Sequence, residues 1–331
     1  MKNPIHKLGG VVYRKLTRLV APFRAAGIVL LYHRVIQLRD ASMAMAISPE
    51  HFAKHLKYLK EHYKIFSLEE MIAKAKDREL PERSLALTFD DGYADNLIQA
   101  KPLLEKFGVP ATMFITSGKI DSDTEFWWDD LERILLKTPK LPPQLEGVLP
   151  NGKKNWPTAT REEIQTAYKD LFAICRPLAH DEIEKVLEGL CLWAQVSRKA
   201  RPTHRALRSD ELKSLCQGGL IQIGVHTENH ASLAAHPLEV QEREIQNGRN
   251  KLEKILDRPV KGFAYPFGVR EEHYKKETVA LVRKLHFSYA CSTMAGCMRN
   301  GQTDFYQIPR FSIGDWETGV LEQRLKDRFL S

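Results

Sequence analysis

The 331-residue sequence predicts an α/β fold built on parallel strands. Two observations carry this: short apolar runs alternate with segments of helical spacing, and several of those runs end in polar, chemistry-bearing residues. Gly27 to Tyr32 reads as a buried first strand. Ser48 reads as an N-cap with Pro49 at the first helical position, and Phe52, Leu56 and Leu59 follow at helical spacing. Ser67 and Glu70 form a capping-box pattern that opens a second helix. Ser84 to Phe89 reads as a strand delivering Asp90 and Asp91 at its carboxyl end, where α/β folds place chemistry. A helix from about Ala94 to Phe107 and a strand from Ala111 to Thr116 come next. Ile221 to Val225 is a strand ending in His226 and His230, and Val260 to Ala264 one ending in Tyr265, Pro266, Phe267 and Gly268.

The stretch from about 123 to 205 is longer than one crossover needs and reads as a helical insertion in a domain spanning 27–331. It contains Phe126, Trp127 and Trp128, a proline-rich patch from Pro139 to Pro157, and helical spacing in Ile164, Tyr168, Leu171 and Phe172, then Ile183, Val186, Leu187 and Leu190.

Residues 1–26 form a basic amphipathic segment. Lys2, Lys7, Arg14, Lys15, Arg18 and Arg24 are interleaved with apolar residues, and no acid dilutes them. It suits either peripheral contact of residues 1–24 with an anionic membrane or a solvated helix docked on the domain. The formal net charge is +8, yet the basic residues beyond this segment are dispersed among acids and no recognition motif appears, so nucleic acid is not an expected partner. Five cysteines, an odd number without close pairing, read as reduced thiols. With no apolar run of the roughly 18 residues a membrane span needs, and no secretory pattern at the start, the expected compartment is the cytoplasm, with the inner membrane face as the place of any peripheral contact.

Adjacent carboxylates at a strand end allow one to bind a metal while the other faces the water that metal activates. His226 and His230 stand four apart directly after an apolar strand, so a helical turn or tight loop puts both imidazoles on one side. Two histidines and one carboxylate leave a coordination position open, the arrangement of a catalytic rather than a structural zinc.

The strings TFDDG at 88–92 and HTENH at 226–230 resemble the first two motifs of the polysaccharide deacetylases with NodB homology, carbohydrate esterase family 4. AYPFG at 264–268 resembles the third, although many members carry an arginine where this chain has Ala264. The resemblance covers roughly Gly27 to Trp316. It implies a distorted (β/α)7-type barrel, with Asp91, His226 and His230 holding a divalent metal, zinc (Zn2+) first and Co2+, Ni2+ or Fe2+ as alternatives. It also implies Asp90 as general base and the Phe267 N–H as an oxyanion donor, with Tyr265 and Trp128 as further substrate contacts. No histidine follows His286, so the C-terminal acid histidine of many members is missing. His33, in Tyr32-His33-Arg34 at the end of the first strand, resembles the acid of the circularly permuted subgroup that includes poly-N-acetylglucosamine deacetylases. Arg310 is the candidate cationic partner of Asp90, with Arg34 competing.

The implied activity is removal of N-acetyl groups from an amino-sugar polysaccharide or lipid-linked glycan precursor. O-acetyl esters, formyl amides and cyclic amides pass through similar intermediates and stay open as substrates. A non-catalytic glycan-binding module would be expected to have lost Asp90 or a metal ligand, and this chain keeps them.

Overall fold

The computed structural model describes residues 26–38, 45–149 and 152–330. The expected basic segment at 1–26 lies outside these, apart from Ala26. In chain order the main elements are β1 (Ala26–Tyr32), α1 (Pro49–His62), α2 (Leu68–Lys76), β2 (Ser84–Phe89), α3 (Lys101–Phe107) and β3 (Ala111–Ile115). Then come α4 (Trp127–Leu136), the strands β4 (Gln144–Leu149) and β5 (Gly152–Pro157), α5 (Arg161–Cys175), α6 (His180–Ala194) and α7 (Ser209–Leu215). The chain finishes with β6 (Ile221–Val225), α8 (Leu238–Leu256), β7 (Gly262–Ala264), α9 (Lys276–Lys284), β8 (Tyr289–Cys291), β9 (Arg310–Ser312) and α10 (Thr318–Leu330).

Seven of these strands pair in parallel in the order β8-β7-β6-β3-β2-β1-β9. The ring nearly closes where the chain entering β9 meets β8, through a parallel bridge between Cys291 and Ile308 and the Ile308 N–H donating to the Ala290 carbonyl at 2.9 Å. The last strand thus lies beside the first in the barrel wall.

Alternation along each strand sorts side chains into two layers. Ile28, Leu30 and Tyr32 of β1, and Leu85, Leu87 and Phe89 of β2, share a buried outer cluster with Phe52, Leu56 and Leu59 of α1. Val29, Ala86, Phe114, Ala264, Tyr289 and Cys291 turn inward and form a second cluster with Leu68, Met71, Ile72 and Ala75 of α2, which plugs the amino-terminal mouth of the barrel. Inward glycines make room for inward rings. A Cβ on Gly224 would stand 2.3 Å from a ring carbon of Phe114, and one on Gly262 2.5 Å from Tyr289. The polar residues collect at the opposite mouth.

The helix starts follow local chemistry. The Ser48 hydroxyl accepts the His51 N–H at 3.2 Å, and Ser67 and Glu70 cap reciprocally. Two expectations need correction. The helix expected over Ala94 to Phe107 begins instead with a π-helical turn at Asn96–Ala100, and Pro102, without an N–H, sits just after it. The stretch from about 123 to 205 is not wholly helical either, because the proline-rich patch is an antiparallel hairpin of β4 and β5. Pro139, Pro142 and Pro143 precede the paired strands and Pro157 ends one of them, positions where a missing donor costs little. With α4, α5 and α6 the hairpin builds its own apolar cluster, including Trp127, Leu131, Trp156, Leu171 and Leu187.

The packing predicts opposite effects of alanine at two glycines. Gly224→Ala must displace the fully buried Phe114 and is expected to lose about 1–3 kcal/mol in urea unfolding. Gly189→Ala, exposed in α6 with nothing within 4 Å of its Cβ, should gain up to about 1 kcal/mol. A Gly224→Ala protein as stable as the parent would refute the inward register.

Candidate metal and catalytic site

Asp90 occupies the next inward position after Ala86 and Thr88, so its carboxylate points into the upper mouth of the barrel. Alternation alone would send Asp91 outward. A left-handed backbone at Asp91 (φ 75°) and Gly92 (φ 88°), with the Gly92 N–H returning to the Asp90 carbonyl at 3.0 Å, turns Asp91 back to the same side. Such φ values in non-glycine residues are costly and gather at functional sites. Thr227, His230 and Phe267 share them, at 59°, 58° and 59°.

His226 is the first residue beyond β6 and also points inward. Its Nδ1 donates to the Ala264 carbonyl at 2.8 Å, which leaves Nε2 with a free lone pair. Between the two histidines, Glu228 and Asn229 hold the loop. The Asn229 N–H and side-chain amide donate to Glu244 at 2.9 Å each, and the Asn247 amide donates to Glu228 at 2.9 Å. His230 is wedged edge-to-face between Trp128 and Phe267, with ring centroids 4.6 Å away on each side.

The Asp91 Oδ1 atom lies 3.5 Å from Nε2 of His230 and 3.8 Å from Nε2 of His226, and it is buried without a hydrogen-bond partner. Ligand atoms around a tetrahedral zinc with bonds of about 2.0–2.1 Å stand about 3.3 Å apart, so one carboxylate and two imidazoles at this spacing fit a divalent ion. The titration pattern suits one too. Burial pushes both histidines down, toward the neutral ligating form. Burial also pushes Asp91 up, with Asp90 and Asp129 adding to it, a cost that a bound cation reverses.

Asp90 is in the opposite condition. Burial alone would raise its carboxyl, but the charges of Arg310 and His226 and the Arg310 hydrogen bonds outweigh this and hold it at about 2. Arg310 grips it in a fork, with Nη1 and Nη2 each 2.7 Å from a carboxylate oxygen, while its Nε donates to the Ser292 carbonyl at 2.9 Å. Arg34, the competing candidate, turns away. Its Nε bonds Asp95 at 3.0 Å, its Nη2 donates to the Thr203 carbonyl, and its guanidinium lies 4.1 Å over the Tyr93 ring.

A cavity of about 350 Å³ opens above these groups, lined among others by His33, Asp90, Asp91, Trp128, Phe267 and His273. His33 is partly exposed to it, and burial pushes its imidazole down to about 4, against the pull of Asp90. Trp128 is buried yet forms part of the wall, its Nε1 donating to the Tyr93 hydroxyl at 2.8 Å. Phe267 sits on a loop pinned by the Thr293 hydroxyl donating to its carbonyl at 2.8 Å. A Cβ on Gly268 would meet the Thr293 backbone nitrogen at 2.6 Å, so that loop needs glycine there. Tyr265, expected to contact substrate, does not reach the cavity. Ala264 takes the inward position, so Tyr265 points out, stacks on Tyr274 at 4.0 Å and donates to the Tyr306 carbonyl at 3.0 Å.

The sequence reasoning overlooked Asp95 and Asn96. The Asn96 amide donates to the His33 carbonyl at 2.9 Å, and Asp95 accepts the Val35 N–H at 3.0 Å besides Arg34, so the π-helical turn clamps the strand end that carries His33. The only local signal is two polar residues at a helix start, which ordinarily reads as a cap. A second group with ligand chemistry, Asp129, Glu132 and His204, lies within the insertion, but Arg201 already pairs with Glu132 at 3.3 Å and the Tyr93 hydroxyl donates to Asp129 at 2.6 Å.

The family model described as polysaccharide deacetylase matches residues 77–139 and 191–290, leaving most of the hairpin and helices of the insertion between its two segments. YxkH of Bacillus subtilis is 30% identical over 94 residues, 28% of this chain and 32% of that protein. The poly-beta-1,6-N-acetyl-D-glucosamine N-deacetylase of Staphylococcus aureus is 33% identical over 79 residues, 24% of this chain and 27% of that protein. The aligned stretches therefore span about a third or less of either relative. Among solved structures, the Streptococcus pyogenes deacetylase PplD, in complex with acetate, shares the fold with a TM-score of 0.60 at 18% identity, over 91% of this chain and 98% of that one.

Asp129 makes stability depend on pH. Burial pushes its carboxyl from 3.8 up to about 7, despite Arg34 and the Tyr93 hydrogen bond. Between those values the folded protein keeps a proton that the unfolded chain has released, so this group's contribution to stability falls as pH rises through the window. Asp129→Asn keeps an acceptor for Tyr93 and removes the titration. Its stability relative to the parent, from urea unfolding at successive pH values, should rise from pH 4 to 7 and level off above. A difference that is constant with pH would contradict this assignment.

Proposed function

We propose that this chain, which the polysaccharide deacetylase family model matches over residues 77–139 and 191–290, is a metal-dependent hydrolase that removes N-acetyl groups from an amino-sugar polysaccharide or lipid-linked glycan precursor. The observation that carries the reading is a charged carboxylate, Asp90, beside the converging triad Asp91, His226 and His230 at the floor of an aromatic-walled cavity. A divalent ion held by the triad, zinc by its donor set, supplies polarisation of a carbonyl and acidification of water.

The remaining roles fall to the protein. Asp90, kept ionised and aimed by the Arg310 fork, accepts the proton of the attacking water. As negative charge develops on the acetyl oxygen, the backbone N–H of Phe267 donates to it. His33, neutral in the free cavity, takes up a proton from solvent as that charge develops and delivers it to the departing amine as the C–N bond breaks, and Asp90 returns its proton to solvent when acetate leaves. Trp128 and Phe267 brace His230 and form apolar walls suited to the faces of a sugar ring. The name of the Staphylococcus aureus relative supports an N-acetylated amino sugar over an acetylated xylan.

Zinc-reconstituted protein should release acetate from oligomers of N-acetylglucosamine, and a chelator should abolish the release. Asp90→Asn should lower turnover by about 10²-fold or more. His33→Ala should fall comparably, and Arg310→Ala should also fall because Asp90 loses its aim. Turnover unaffected by Asp90→Asn would refute the mechanism, and normal turnover of Arg310→Ala would remove Arg310 from it. Acetate from acetylated xylan alone would make the protein an O-acetyl esterase.

A further inference from the structure

Resting on that reading, we infer that His273 is a substrate-contacting residue whose Nε2–H binds an oxygen of a sugar unit in the cavity. The argument begins with the loop that follows β7. Its chain turns back on itself: the His273 N–H donates to the Val269 carbonyl at 2.8 Å and the Glu271 N–H to the Tyr274 carbonyl at 2.8 Å. The Val269 N–H in turn donates to Nδ1 of His273 at 3.2 Å. An acceptor role at Nδ1 places the ring proton on Nε2, at the far edge of the imidazole from the loop.

His273 is 5% exposed and lines the cavity, yet Nε2 has no hydrogen-bond partner. The Glu272 Oε1 atom lies 3.2 Å away but out of line for a hydrogen bond. A buried donor left unmade is costly, and at the wall of a cavity a ligand oxygen resolves it. The surroundings suit a sugar. The imidazole packs on Phe267 at 5.0 Å, and Phe172 of α5 contributes a second ring to the lining. Beside them Arg176, at the end of α5, pairs with Glu272 at 3.1 Å. Aromatic faces with a few convergent polar groups at one edge match the mixed surface of a pyranose. The insertion and the loop after β7 thus build one side of the cavity together, and His273 stands in that wall with an unpaired Nε2. Its Nε2 asks for a hydroxyl or an amide carbonyl oxygen.

Two substitutions separate this role from support of the Phe267 loop. His273→Asn keeps an acceptor near the Nδ1 position for Val269 and deletes the cavity donor. His273→Gln reaches the Nε2 position with an amide N–H and gives up the loop acceptor. With an N-acetylglucosamine tetramer as probe, His273→Asn should raise KM about tenfold, the worth of one such hydrogen bond, with kcat within threefold of the parent. His273→Gln should recover most of the loss in KM. Thermal melts establish that both variants are folded, and if one is not, the other still distinguishes a KM effect from a kcat effect. A fall confined to kcat, or no change in either constant, overturns the inference. Calorimetric binding of the same tetramer separates it from the proposed reaction. If the parent releases no acetate but binds the tetramer about tenfold more tightly than His273→Asn does, the contact stands and the deacetylase reading falls. Equal binding, or no binding by the parent, overturns the contact.

Discussion

Arg310 reaches from the last barrel strand past β1 to close on Asp90 at the end of β2, and its Nε holds the carbonyl that follows β8. One side chain therefore ties three strand ends at the upper mouth. Both charges are out of water, where pairing offsets a desolvation cost of several kcal/mol for each ion only if the geometry is good and the remaining donors are satisfied. The two-pronged fork and the Ser292 carbonyl meet that condition. An ionised carboxylate can then stand at the floor of a largely apolar cavity, aimed and acceptor-only, a few ångströms from the triad.

Around that pair the barrel acts as a sorting device. Alternation sends one face of every strand to the helices and the other to the interior, and the interior grades from apolar over α2 to polar at the carboxyl ends. At the ends, left-handed residues break the alternation where the chemistry needs it. Asp91 is turned inward beside Asp90, and His230 is swung against His226 across a loop fastened to α8. Next to these turns glycine stands where a neighbour packs too closely for a side chain, Ile115 against Gly92 and Thr293 against Gly268.

The insertion adds a shaped cavity above the strand ends that carry Asp91, His226 and His230. Trp128 braces His230 while its indole N–H is satisfied by Tyr93, whose hydroxyl is in turn held by Asp129. Phe172 and the Arg176–Glu272 bridge bring the insertion to the loop after β7. The same helices that supply walls to the cavity also carry a core of their own, so the shape of the cavity and local stability depend on the same packing.

The sequence by itself determined the α/β class, most strand positions, the helix caps at Ser48 and Ser67, and the two strings that hold Asp90, Asp91, His226 and His230. Each of these is local: periodicity, capping chemistry and residue spacing act within a few positions along the chain. Tertiary structure alone decided matters of long-range geometry. Which arginine faces Asp90 depends on strands more than two hundred residues apart, and Tyr265 is turned away from the cavity by a one-residue register that points Ala264 into the barrel interior. The hairpin inside the insertion is held by cross-strand pairing and by Trp156 packing that no periodicity announces. His273 became visible only as an unpaired donor, because an unsatisfied hydrogen bond is a property of the assembled surroundings and not of the residue.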